Sequence, residues 1–152
     1  MRISTKGRHA VMAMVDLARN GRDKPVSLAE IAARQDISLS YMEQLIARLK
    51  NRGLVRSLRG PGGGYMLAID DHRITINEVV NAVDDPAPRN IVHDPASADG
   101  RQLTDLLWQA VHDEVSQYLA SVTLADVRNN NIVPSTLTLY DTQKGQMSQQ
   151  SA

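Results

Sequence analysis

Two short stretches carry side chains that could do chemistry. In "SLSYMEQ", residues 38–44, Ser38, Ser40, Tyr41, Glu43 and Gln44 crowd the start of a segment whose spacing predicts a helix. Serine hydroxyls and a glutamine amide both donate and accept, whereas an ionised glutamate only accepts. The set suits reading the hydrogen-bonding edges of bases, with Glu43 able to accept from a cytosine amino group. In "RGPGGGYML", residues 59–67, Gly60, Gly62, Gly63 and Gly64 surround Pro61, so four of the chain's nine glycines sit together. A mononucleotide-binding loop requires Lys and then Ser or Thr after its last glycine, to meet phosphate and Mg²⁺. Here Tyr65 and Met66 follow instead. A dinucleotide loop would need a helix to begin there, and the residues that follow read as a strand. No Ser-His-Asp or metal-hydrolase spacing stands out, which argues against an enzyme.

Which elements hold these stretches follows from periodicity. Thr5 or Ser4 caps a first helix reaching about Asn20, with Ala10, Val11, Met14, Val15 and Ala18 on its apolar face. "SLAEIAARQD" opens with Ser27 and Glu30 at capping-box spacing. The turn "RQDIS" leads to a third helix starting at Ser38 or Ser40, with Met42, Leu45, Ile46 and Leu49 inward and Gly53 as its C-cap. Leu54–Leu58 and Tyr65–Ile69 then read as two strands around the glycine turn, so the glycines provide positive φ and close backbone approach at a hairpin tip. A short helix is expected within Ile74–Val83. The longest periodic segment, 101–122, carries Leu103, Leu106, Leu107, Ala110, Val111, Val115, Tyr118, Leu119 and Val122 as one stripe. The expected divisions are a DNA-binding unit at 1–84, a loop at 85–100, a long helix and its end at 101–128, and a polar tail at 129–152. The fold class is mainly α with a small β-hairpin.

Charge agrees with this order. Residues 1–66 hold 12 Lys and Arg against 5 Asp and Glu, while 67–152 hold 5 against 12, so a net charge of zero conceals a basic half and an acidic half. A basic half fits a polyanion partner. Helix, short helix, turn, helix and hairpin is the order of a winged helix-turn-helix, in which the third helix enters the major groove of double-stranded DNA. Arg2, Lys6, Arg8, Arg48, Lys50, Arg52 and Arg56 then suit backbone phosphates. Arg59, before the glycines, suits a narrow minor groove. No apolar run is long enough to span a membrane, and the first residues lack a signal-peptide layout. A cytoplasmic protein is the expectation.

The segments "MRISTKGRHAVMAMVDLA", "SLAEIAARQDISLSYMEQLIARLKNRGLVRSLRGPGGGYML" and "ITINEVVNAVDD" resemble the winged-helix regulators typified by the iron–sulfur cluster regulator IscR. The resemblance runs nearly unbroken over residues 1–85 and returns more weakly at "LTDLLWQAVHDEVSQYLASVTLADV". It implies a bacterial transcription factor acting as a homodimer on a near-palindromic operator, with the long helix paired about the twofold axis and bases read by Ser40, Glu43 and Arg59. Cluster-binding relatives use three cysteines in the loop before the long helix. This chain has none, so no iron–sulfur cluster is expected. Ala96, Ser97 and Ala98 stand in that loop, in a chain either naturally cluster-free or with its cysteines replaced. His93, Asp94 and Asp99 are weak candidates for a harder metal. A regulatory protein docking on the acidic half is a further alternative.

Overall fold

The computed structural model of the protein describes residues 3–84 and 98–132, with side chains from residue 104 onward in the second stretch. Helix α1 spans Thr5–Asn20, α2 Leu28–Gln35 and α3 Leu39–Asn51. Strands β1 (Val55–Leu58) and β2 (Gly64–Leu67) form an antiparallel hairpin with Val55 opposite Leu67 and Leu58 opposite Gly64. A 3₁₀ turn at Asp71–Arg73 leads to α4 (Ile76–Val83), and α5 (Ala98–Ser121) and α6 (Leu124–Arg128) complete the described chain. The expected mainly α winged helix-turn-helix with a long helix behind it is the architecture observed.

Local chemistry sets the boundaries. Ser4 caps α1 by accepting from the Gly7 N–H at 2.9 Å. Ser27 and Glu30 form the full capping box of α2. Helix α3 is capped by Ser38, whose hydroxyl accepts from the Tyr41 N–H, so Ser40 is left free in the first turn. At the other end of α3, Gly53 lies at φ 73 and donates to Lys50, while Leu54 donates to Leu49. These two bonds close the left-handed cap that glycine favours. The helix-turn-helix corner uses the same device with Asp36 at φ 53, a conformation a short polar side chain tolerates.

The core is built from Met14, Leu17, Ile31, Met42, Leu45, Ile46, Leu49, Ile74, Val79, Val83 and Leu124, all essentially inaccessible. Methionine fills irregular space that phenylalanine, absent here, would otherwise occupy. One buried polar group braces it. The Asp16 carboxylate of α1 accepts from Arg34 Nε at 2.8 Å and Nη2 at 2.7 Å, a two-point grip joining α1 to α2.

The long helix begins three residues before the expected 101–122 segment and stops at Ser121, and Thr123 then opens α6 with a capping box to Asp126. Thr75 and Thr123 pair as a bridge, with Ile76 N–H donating to Val122 and Leu124 N–H donating to Ile74. Helix α6 therefore packs back beside α1, where Leu124 and Ala125 are buried and Arg128 Nε lies 2.7 Å from the carboxylate of buried Asp71.

Candidate nucleic-acid interface

The buried stripe of α3 dictates what its other side shows. With Met42, Leu45, Ile46 and Leu49 facing the core, Ser40, Glu43 and Gln44 are exposed together. Tyr41 behaves differently from the expectation for a base-reading residue. Its ring packs half-buried, edge-on to His9 of α1 at 5.5 Å between centroids. Ser38 is exposed, but its hydroxyl is engaged as the helix cap. Of the five polar groups at the start of α3, three thus keep free edges.

The wing follows α3 and is joined to its C-terminal end. Pro61 and Gly62 occupy the centre of a tight turn in which Gly63 N–H donates to Gly60 at 2.9 Å. Gly62 at φ 73 after a proline is the signature of a type II turn. Tyr65 exchanges two backbone hydrogen bonds with Val26, at 3.0 and 2.8 Å, so the hairpin is tied to the segment before α2. Gly64 permits that tie: a Cβ there would lie 2.6 Å from the Val26 carbonyl oxygen. The glycines serve turn geometry and close approach, and Arg59 stands exposed at the base of the tip.

The other basic residues divide. Lys6 and Arg8 lie in the first turns of α1, exposed, with no acidic residue there. Cations at the positive end of a helix dipole work against stability, an arrangement that fits an anionic partner. Lys50 donates to Ser57 Oγ at 2.8 Å, linking the end of α3 to the wing, and Arg56 reaches the Leu67 carbonyl across the hairpin. Arg52 is exposed at the α3 cap. Arg48 departs from the expected phosphate role: half-buried, it donates to the Val83 carbonyl at 2.9 Å. Arg2 lies outside the described residues.

On α5 the expected stripe divides in two. Leu106, Leu107 and Trp108 are more than half exposed, Ala110 is exposed, and Val111, Val115 and Tyr118 are half-buried. Leu119 and Val122, expected at a dimer interface, are half-buried and pack against this protomer's own core. The side chain of Leu103 is outside the description. No described helix is long and apolar enough to cross a membrane.

Among the described residues, one group of side chains has the spacing of metal ligands. His93 and Asp94 lie outside the described residues, and Asp99 is placed only as backbone in α5. Asp70, Asp71 and His72 can bring ligand atoms within 4.8 Å of one another. Each carboxylate already has structural work, Asp70 capping the 3₁₀ turn through the His72 N–H and Asp71 pairing with Arg128. Without cysteine, the chain's donors do not fit a sulfide cluster.

Comparison with known proteins agrees with the geometry. The model of the Rrf2 family, described as iron-dependent transcriptional regulators, matches residues 3–130. The HTH-type transcriptional regulator IscR of Yersinia pestis is 46% identical over 132 residues, covering 86% of this chain and 80% of that protein. Among solved structures, T. potens IscR superposes with a TM-score of 0.71 at 33% identity, covering 91% of this chain and 96% of that one. CymR, described as the global cysteine regulator of B. subtilis, gives 0.70 at 35% identity, covering 86% and 98%.

Proposed function

The chain belongs to the Rrf2 family of transcriptional regulators, and from that premise we propose that it binds operator DNA as a homodimer and works without an iron–sulfur cluster. Each protomer lays α3 in a major groove, where Ser40, Glu43 and Gln44 meet base edges, and directs Arg59 to the adjacent minor groove. Lys6, Arg8, Lys50, Arg52 and Arg56 contact phosphate. The observation that carries this reading is that α3 exposes Ser40, Glu43 and Gln44 while the wing that follows it exposes Arg59 at the base of its turn. Pairing of two copies is supported by Leu106, Leu107 and Trp108, which leave a lone protomer with adjacent apolar surface on a projecting helix. Twofold pairing requires a near-palindromic operator, its half-sites about one helical turn or a multiple apart. Absence of cysteine supports cluster-free operation, and the regulator's place is the cytoplasm, with its DNA.

Selection of bound fragments from genomic DNA supplies the operator and tests the reading at its root. On that operator Arg59→Ala should weaken binding by about 1–3 kcal/mol, and Glu43→Ala should change base preference more than overall affinity. An unaltered Arg59→Ala affinity would remove the wing from the reading.

A further inference from the structure

The two residues that end α4 are held from both sides by elements of the DNA-facing surface. Val83 is fully buried, and its carbonyl, one of those a helix C-terminus leaves without an internal partner, accepts from Arg48 of α3. The guanidinium also sits at the negative end of the α4 dipole. Asp84, the next residue, accepts a hydrogen bond from the Ser4 hydroxyl. That hydroxyl also takes the Gly7 N–H, so it caps α1. At Gly7 the two helices come close: a Cβ there would meet Val80 Cγ1 and Ile3 Cγ2 at 3.3 Å each. Lys6 and Arg8 flank Gly7 in α1, while Arg48 lies one turn beyond Gln44 in α3.

We propose that Arg48 is a positioning residue, which locks the base-reading helix to the end of α4 and, through Asp84 and Ser4, to the phosphate-facing start of α1. The inference rests on the DNA-binding reading above. Base contacts and phosphate contacts then keep one fixed spacing, and the register of α3 in its groove is set by the joint at 83–84. Turning Arg48 outward to grip a phosphate would leave the buried Val83 carbonyl without this donor, so the two roles compete.

Salt dependence separates them. Affinities of wild type, Arg48→Met and Asp84→Ala are measured against salt on the selected operator and on an unrelated duplex, well below each variant's Tm. Because two protomers meet the DNA, loss of a phosphate contact in each lowers the log–log salt slope by about 1.8 and weakens binding to any sequence. Loss of positioning leaves the slope and the unrelated duplex unchanged but weakens operator binding about tenfold, the scale of one lost base contact. Asp84→Ala gives the sharper comparison, because removing a negative charge should by electrostatics alone strengthen DNA binding. Positioning requires the opposite sign on the operator. A slope reduced by about two in Arg48→Met, or operator affinity maintained in Asp84→Ala, overturns the proposal. So does a variant that loses only thermal stability. Should Arg48→Met not fold, Asp84→Ala decides alone. A wild-type protein without operator affinity would instead sink the DNA-binding reading itself.

Discussion

Replacing Gly64 by alanine separates the wing's glycines by what each one does. At Gly64, φ is 154°, and a Cβ would stand 2.6 Å from the oxygen and 2.8 Å from the carbon of the Val26 carbonyl. Ordinary contact begins at 3.4 Å, so the two backbones must part by about 0.8 Å. That opening stretches both hydrogen bonds between Val26 and Tyr65 beyond useful length. Two backbone bonds at about 1 kcal/mol each, with about 1 kcal/mol or more for the strained φ, predict a loss near 3 kcal/mol. Gly62→Ala is the control, since a Cβ there meets nothing within 4 Å. Its cost is the left-handed conformation alone, about 1–2 kcal/mol. Thermal or urea unfolding of both variants measures the difference, and a Tm lowered by roughly 10 °C is the expected size for Gly64→Ala. The wing should also lose its fixed orientation, so operator affinity should fall further than in the control. Equal losses in the two variants would refute the role assigned to the Val26 contact.

Leu107→Glu should shift sedimentation from dimer to monomer while leaving the protomer folded, because Leu107 is 55% exposed within one copy; a dimer that persists would move the interface elsewhere. Leu119→Glu, by contrast, should unfold the protein, since that side chain packs on its own core. For Asp16, burial raises the carboxyl pKa, but the bonds from Arg34, Asn20 and Gln35 outweigh it and hold the group below its usual value. A depressed pKa gives stability that is present above the unfolded value of 3.8 and lost as pH falls through the lower folded one. Asp16→Asn should therefore flatten the acid limb of the unfolding profile below about pH 4, and a limb parallel to wild type would count against the Asp16–Arg34 grip. Arg34→Met, read at neutral pH, should cost about 2 kcal/mol.

Local chemistry was legible and long-range chemistry was not. Ser27 with Glu30, the apolar rows of α1 and α3, and Gly53 after Asn51 each act within one or two turns, so their spacing in the chain is their geometry. Ser40 with Glu43 has the same spacing as a capping box, yet Ser38 caps the helix, and Tyr41 packs onto His9. The capping pairs Thr75–Glu78 and Thr123–Asp126 could have been found by the same pattern. Thr123 would have marked the start of α6. The Val26–Tyr65 bridge and the Arg48–Val83 bond join residues 39 and 35 positions apart, and nothing in composition or period points to either. They decide how the wing and α3 are aimed. The function class could be read from the residues, while the bracing behind them needed the fold.

Helix α6 gives the chain an order of assembly. The winged unit lacks part of its interior until Leu124 and Ala125 arrive, some 40 residues after α4 closes. During synthesis the DNA-facing half emerges first but cannot finish packing until the whole of α5 has left the ribosome. A chain that ends before Leu124 therefore leaves that part of the core unfilled. The last core residues thus follow directly after the helix proposed to recruit the second copy.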